Sequence, residues 1–292
     1  MRHNILLILL LLLAACSSIK QPADPQVKLD ADSQLNLALS YENMGEPTPS
    51  REAYQYALEL YQSFAGTAGM LGCQSGLARL ALAEGENPAF IEHKAKMSHL
   101  IMDVAPNLDY YLLLLEVYQL QMVKDYAGIS RLAVSRDYYP DEVKLQLATA
   151  KMQADCYQNQ ATGESASSLI SQAKRYEKLL KKAKAQDSEL LSSSWYALAY
   201  YHFGLKNYNA ANNYLAKVCQ IDYSYGNLNA LGHALWLKGQ VAKALGDNAS
   251  ALSLFIQAEG IFSATHDNNA ETTLQAEIQQ LRGIANAPNW YY

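Results

Sequence analysis

Two serine–lysine pairs have the spacing at which a lysine could activate a serine nucleophile. Ser17 and Lys20 form one pair, and Ser171 and Lys174 form the other. On a helix, residues three apart share one face, so the lysine amine could take the serine proton during acyl transfer. The pair of Ser171 and Lys174 motivates one hypothesis, a cell-envelope hydrolase that is built on a helical scaffold.

The sequence lacks the motifs that would complete such an active site. In penicillin-recognising enzymes the Ser-x-x-Lys pair is accompanied by Ser-Asp-Asn and Lys-Thr-Gly motifs, and neither occurs here. The chain also has no Gly-x-Ser-x-Gly motif. We therefore assign no catalytic residue, expect a protein that is not an enzyme, and keep the hydrolase as the alternative hypothesis.

Metal and nucleotide sites have no support in the sequence either. The six histidines are scattered, and none forms a His-Glu-x-x-His motif. The glycine-rich stretch at residues 66–76 lacks the spacing of phosphate-binding loops. Its Gly69, Gly72 and Gly76 would share one helix face, which favours close helix packing. We expect no metal, no cofactor and no small-molecule substrate.

The composition excludes a general attraction to polyanions. The formal net charge is −5, and charged residues make up only 17% of the chain. Such a surface does not favour nucleic acid or anionic lipid as a partner. The 21 tyrosines outnumber the 5 phenylalanines, and tyrosine is favoured at protein-binding surfaces.

The first sixteen residues combine a basic start, a short apolar run and a cysteine. The unbroken run from Ile5 to Leu13 follows Arg2 and is shorter than the roughly 20 apolar residues that cross a bilayer. It is typical of a secretory signal. The sequence Leu-Ala-Ala-Cys at residues 13–16 resembles the lipobox of bacterial lipoproteins, in which the signal is removed and the cysteine is lipidated. That resemblance implies a signal peptide at residues 1–15 and a lipid anchor at Cys16.

The residues after Cys16 bear on location and reach. In Gram-negative lipoproteins an aspartate after the cysteine is the inner-membrane retention signal, and here Ser17 stands in its place. The resemblance therefore implies an outer-membrane anchor, with the folded part facing the periplasm. The polar segment 16–33 contains Pro22 and Pro25 and is predicted to be a flexible tether.

Three further cysteines are far apart in the sequence and form no Cys-x-x-Cys motif. Cys73, Cys156 and Cys219 lie in helical patterns, where free cysteine behaves as a small buried hydrophobe. One disulfide in an exported protein is the alternative.

Residues 34–286 show helical periodicity throughout and no alternating strand pattern. Apolar residues recur at intervals of three and four, and turn-rich breaks follow one another at regular intervals. We predict an all-α fold of about six antiparallel helix pairs with a C-terminal capping helix. Residues 287–292 form a short aromatic tail. The register between residues 105 and 190 stays open.

One segment resembles a helix pair of the tetratricopeptide repeat (TPR) family. Its bulky, small and aromatic residues match that family's pattern at Trp195, Ala199, Tyr208 and Ala211. Lys206 stands where the family usually has a turn glycine. Small residues at the crossing let two helices approach closely while larger ones fill the space beside them. The resemblance implies a solenoid of stacked pairs.

The next segment repeats the pattern, and the first helices resemble it more weakly. Its matching residues are Leu235, Gly239, Ala251, Phe255 and Ala258. Asp247 is predicted to cap the helix that follows. Trp195 and Leu235 are 40 residues apart against about 34 in a regular TPR, so residues 220–230 must lengthen a helix or a loop. Near the start, Pro47 and Pro49 are predicted to lengthen a turn.

The resemblance also implies a binding surface, because the first helix of each TPR pair lines the concave side of the solenoid. The residues predicted to face this groove are Tyr196, Tyr200, Phe203, His233, Trp236, Gln240 and Lys243. They do not match the lysine and asparagine clamp with which some TPR proteins hold a terminal carboxylate. The leading hypothesis is a scaffold or adaptor that binds a protein partner in pilus or secretin, outer-membrane protein or peptidoglycan machinery.

Overall fold

Thirteen α-helices make up the structure over the described residues, which are 26–184 and 189–285 of the computed structural model. They are α1 (Gln26–Asn43), α2 (Pro47–Ser63), α3 (Thr67–Ala83), α4 (Asn87–Asp103), α5 (Tyr110–Met122), α6 (Tyr126–Leu132), α7 (Asp141–Tyr157), α8 (Gly163–Ala183), α9 (Glu189–Gly204), α10 (Tyr208–Tyr225), α11 (Leu228–Ala244), α12 (Asn248–Ala264) and α13 (Asn268–Ala285). A short 3₁₀ helix covers Pro106–Leu108. The prediction of an all-α fold with six helix pairs and a final helix is confirmed.

The chain divides into two compact units, of which the first ends at Leu115 and the second begins at Glu116. The helical pattern over residues 34–286 predicts a repeat array, which runs through both units. No helix in the two described ranges is both long and apolar enough to cross a bilayer.

The first helix begins earlier than the predicted tether allows. Residues 26–33 belong to α1, so the tether cannot extend to residue 33. Ala31 is fully buried, and Asp32 accepts a hydrogen bond from the hydroxyl of Tyr61 in α2. This burial makes the segment helical despite its polar composition. The signal peptide, Cys16 and the tail at 287–292 lie outside the described residues.

Pro47 and Pro49 do not lengthen the first turn as predicted, because both lie in the first turn of α2. Proline is tolerated there, since the first amides of a helix have no partner inside the helix.

Several turns use a left-handed residue that is not glycine. Gly246 has φ of 83° in the turn before α12, and Lys206 has φ of 58° at the matching place before α10. Ala65 does the same before α3, with φ of 56°. Residues with a side chain are rarely found in this conformation, and glycine usually marks it in a sequence. Because alanine takes the left-handed position at residue 65, the sequence did not indicate this turn.

Glycines in α3 let tyrosines of α2 pack directly on the helix backbone. A Cβ atom added at Gly76 would lie 2.2 Å from the ring of Tyr54, and one at Gly69 would lie 2.2 Å from the ring of Tyr61. Tyr54 is fully buried. The predicted packing role of the glycine face is therefore confirmed.

The second unit uses the small and large residues that the repeat pattern predicts. Trp195, Ala199 and Ala211 are all buried between α9 and α10. In the next pair the ring of Phe255 packs over Gly239. The predicted cap is also present, because Asp247 Oδ1 accepts a hydrogen bond from the Ser250 amide at 3.0 Å.

The unusual spacing of 40 residues results from a longer helix. α10 continues through residues 220–225 and ends at Gly226, which has φ of 68°. Ile221 and Asp222 are buried in this extension. The extra length thus brings a carboxylate into the interior of the unit.

Candidate protein-binding site

A cavity of about 300 Å³ lies in the second unit. The first helices of three successive pairs, α7, α9 and α11, supply most of its wall, and the end of α10 supplies the rest. The lining residues with polar or aromatic side chains include Gln153, Tyr157, Glu189, Tyr196, Asp222 and His233. A cavity walled mainly by first helices is what a solenoid of helix pairs leads one to expect.

Asp222 is the most buried charged residue of the cavity wall, with 1% of its surface exposed. The Ser192 hydroxyl hydrogen-bonds to its carboxylate. The other oxygen, Oδ2, has no hydrogen-bond partner among the described residues. Burial raises the pKa of Asp222, the Ser192 hydrogen bond opposes this rise, and the charge of Glu189 adds to it.

Four tyrosines form a continuous aromatic surface beside and inside the cavity. Tyr126 and Tyr157 stack with ring centres 4.6 Å apart, and Tyr157 lies 5.7 Å from Tyr200. Tyr157 also lines the cavity together with Tyr196. We call Tyr126, Tyr157, Tyr196 and Tyr200 the aromatic face. Burial raises the pKa of Tyr157 and, more strongly, that of Tyr196, so neither hydroxyl ionises near neutral pH.

The predicted groove residues separate into three groups. Tyr196 and His233 line the cavity, and Tyr200 belongs to the aromatic face. Burial lowers the pKa of His233, an effect that nearby Asp267 partly opposes. Phe203 does not line the cavity and packs against Tyr208, with ring centres 6.0 Å apart.

The remaining three predicted groove residues contact Glu277 of the final helix, α13. Trp236 Nε1 donates to Glu277 at 3.1 Å, Gln240 Nε2 donates to it at 2.6 Å, and Lys243 Nζ lies 3.4 Å away. A final helix covers the surface that a further repeat would otherwise cover. The sequence pattern could not show this, because it assigns helix faces without showing which neighbour occupies them.

Several residues of the site were not predicted from the sequence, among them Tyr126, Tyr157, Asp222 and Glu189. Tyr126 and Tyr157 lie in the region whose register was left open, and Asp222 lies in the lengthened part of α10. Glu189 begins α9, directly after the gap in the described residues. The excess of tyrosine was the only signal that pointed towards such a surface.

The other chemical candidates lie away from the cavity. Ser171 and Lys174 are both exposed on α8, and neither lines the cavity. Across residues 26–184 and 189–285, no three histidine, cysteine or acidic side chains come together as a metal site requires.

The three later cysteines are free thiols. Burial raises the pKa of Cys73 to about 12 and that of Cys156 to about 11. The thiols of Cys73 and Cys156 are therefore protonated at neutral pH, which makes them poor nucleophiles.

The family comparison identifies the repeat. A model described as "Tetratricopeptide repeat" matches residues 31–64 and 192–225. The second match contains Trp195, Ala199, Tyr208 and Ala211. The chain contains tetratricopeptide repeats at these two segments. The matched TPR segment also contains Ser192, Tyr196 and Asp222, so a recognised repeat forms one side of the cavity.

A solved structure has a similar fold. It is titled "Crystal Structure of Rap Protein Complexed with Competence and Sporulation Factor". It matches with a TM-score of 0.58 and 11% sequence identity, over 87% of this chain and 71% of that chain. At this identity the likeness concerns the fold alone. No curated protein shows significant sequence similarity to this chain.

Proposed function

We propose that this TPR protein is a scaffold of the bacterial cell envelope that binds a segment of a protein partner on its aromatic face. The observation that carries the proposal is the continuity of Tyr126, Tyr157, Tyr196 and Tyr200 with the cavity between first helices. TPR folds are typically non-enzymatic scaffolds for protein interaction, and the exposed Ser171 and Lys174 give the hydrolase hypothesis no geometric support.

The chemistry of the aromatic face suits a protein ligand. Tyrosine contributes a large contact area, loses little conformational entropy on binding, and offers a polar hydroxyl. Tyr157 is 56% exposed although the rings of Tyr126 and Tyr200 pack against it, so its ring is held in place and still available. A protein of the same fold, Rap, has been solved in complex with Competence and Sporulation Factor.

The proposed location rests on the N-terminal resemblance. Lipidation at Cys16 would hold the chain at the outer membrane, facing the periplasm. The acidic balance of the chain fits a protein that needs no membrane-binding surface of its own. Its partner then belongs to an envelope assembly, such as pilus or secretin, outer-membrane protein or peptidoglycan machinery.

Replacing Tyr126 and Tyr157 together with alanine is expected to weaken partner binding at least about 30-fold. One aromatic anchor contributes roughly 2 kcal/mol to an interface, and both rings are removed from a preformed stack. The partner would first be identified by crosslinking in living cells. Its affinity for the original chain and for the double variant would then be measured.

The matched control replaces two exposed tyrosines outside the cavity, Tyr56 and Tyr223, with alanine. They are 51% and 78% exposed, so this double variant is expected to bind as the original chain does. Equal affinity of the two double variants would contradict the proposed binding surface.

Substituting Cys16→Ser is expected to remove the protein from the outer-membrane fraction, or to leave the signal peptide attached. The physical reason is that serine cannot form the thioether that carries the lipid. Fractionation and mass spectrometry of the N-terminus check this result. Normal anchoring of the serine variant would disprove the proposed lipidation.

A further inference from the structure

The carboxylate of Asp222 is buried without a positively charged partner on the cavity wall. Of the eleven described residues that line the cavity, none is lysine or arginine. His233 does not compensate, because burial keeps its pKa low and its ring neutral. One oxygen of Asp222 also lacks any hydrogen bond within the described structure. Buried carboxylates are costly unless a cation or hydrogen-bond donors satisfy them.

The surroundings of Asp222 make this end of the cavity electronegative. Asp222 lies in the last turn of α10, where the helix dipole disfavours a negative charge. Glu189 on α9 is near enough to interact unfavourably with it. A ligand group placed here is therefore selected for positive charge.

The walls of the cavity suit the stem and the head of a long basic side chain. Tyr157 and Tyr196 offer ring surface for the methylene groups and for a cation–π contact. The amide of Gln153 and the hydroxyls of Ser192 and Ser193 supply further acceptors. The volume of about 300 Å³ is at the lower end of ligand pockets, which suits one side chain better than a folded element.

We propose that the cavity receives one basic side chain, lysine or arginine, of the bound partner segment, with its cationic head paired to Asp222 and its stem between Tyr157 and Tyr196. This inference rests on the proposed function and specifies the ligand chemistry of the same site. Glu189 at the rim assists by attracting the charge. The aromatic face supplies contact area, and the cavity supplies selectivity.

The first test uses side-chain analogues, so it does not depend on finding the partner. Binding of n-butylammonium and n-propylguanidinium chloride to the full chain in detergent is measured from the ring signals of the cavity tyrosines by NMR. Both cations are expected to bind in the millimolar range. The uncharged control, 1-butanol, is expected not to bind at the same concentration. Asp222→Asn should weaken cation binding at least tenfold, since it keeps the shape and removes the charge.

Two further variants keep the proposal testable even if the Asp222→Asn variant does not fold. Glu189→Gln, which changes an exposed residue, should weaken cation binding severalfold. The matched control is Glu164→Gln on α8, which makes the same substitution away from the cavity and should leave cation binding unaltered. Equal binding of the cations by the original chain and by both cavity variants would overturn the proposal, as would no binding at all.

A second arm distinguishes a partner side chain from a free amine. In the crosslinked partner segment, replacing each lysine and arginine in turn with norleucine should identify one position at which affinity falls at least tenfold. When the Asp222→Asn variant is the binding protein, the same replacement should no longer lower the affinity. If the analogues bind but no such position exists, the cavity takes a free amine and the proposal is wrong. Tyr126→Ala alone tests the proposed function separately, because Tyr126 belongs to the aromatic face but does not line the cavity.

Discussion

Substituting Gly239→Ala is expected to lower the free energy of unfolding by roughly 3 kcal/mol, at the upper end of overpacking effects. The added Cβ would lie 2.3 Å from the ring of Phe255. That ring is fully buried among other core side chains, so it cannot move aside without displacing them. In a protein of this size the change corresponds to a drop in Tm of about 6–12 °C, measurable by circular dichroism.

Gly260→Ala is the matched control for this experiment. Gly260 lies within α12, and no heavy atom would come within 4 Å of its added Cβ. Alanine favours a helix over glycine by about 1 kcal/mol, so this variant should be slightly more stable than the original chain. Equal stability of the two variants would contradict the close approach of α11 and α12.

Removing the guanidinium of Arg79 by Arg79→Met is expected to cost roughly 2–3 kcal/mol of stability. Arg79 binds both oxygens of Glu42 at 2.7 Å and the hydroxyl of Tyr54 at 3.1 Å. It thereby links α3 with α1 and α2. The Arg79 and Glu42 side chains are only 22% and 18% exposed, so methionine would leave a mostly buried carboxylate unpaired.

The pair of Arg175 and Asp141 tests whether burial is the cause of this effect. It has the same two-pronged geometry, with contacts of 3.1 Å, but the Arg175 side chain is 68% exposed. Arg175→Met is expected to cost under about 1 kcal/mol, as surface pairs usually do. Chemical denaturation of both variants measures the difference. A larger loss for Arg175→Met would show that burial does not determine the strength of these pairs.

Much of the fold follows from local patterns, which is why the sequence predicts it. The spacing of Trp195, Ala199 and Ala211 identifies a helix pair because periodicity and residue size act between neighbours along one or two helices. Glycines such as Gly69 and Gly76 likewise indicate close packing. A turn such as that at Ala65 was missed because its left-handed residue is not glycine.

By itself, the sequence determined that this protein is all-α, that it contains TPR-type helix pairs, and that first helices carry aromatic residues. Only the tertiary structure decided which of those residues are available to a ligand. It placed Tyr157 beside Tyr200, engaged Trp236 with Glu277, and buried Asp222 in the cavity wall. These contacts join residues about 40 positions apart, so they depend on how neighbouring repeats stack, and a helical period does not encode that arrangement.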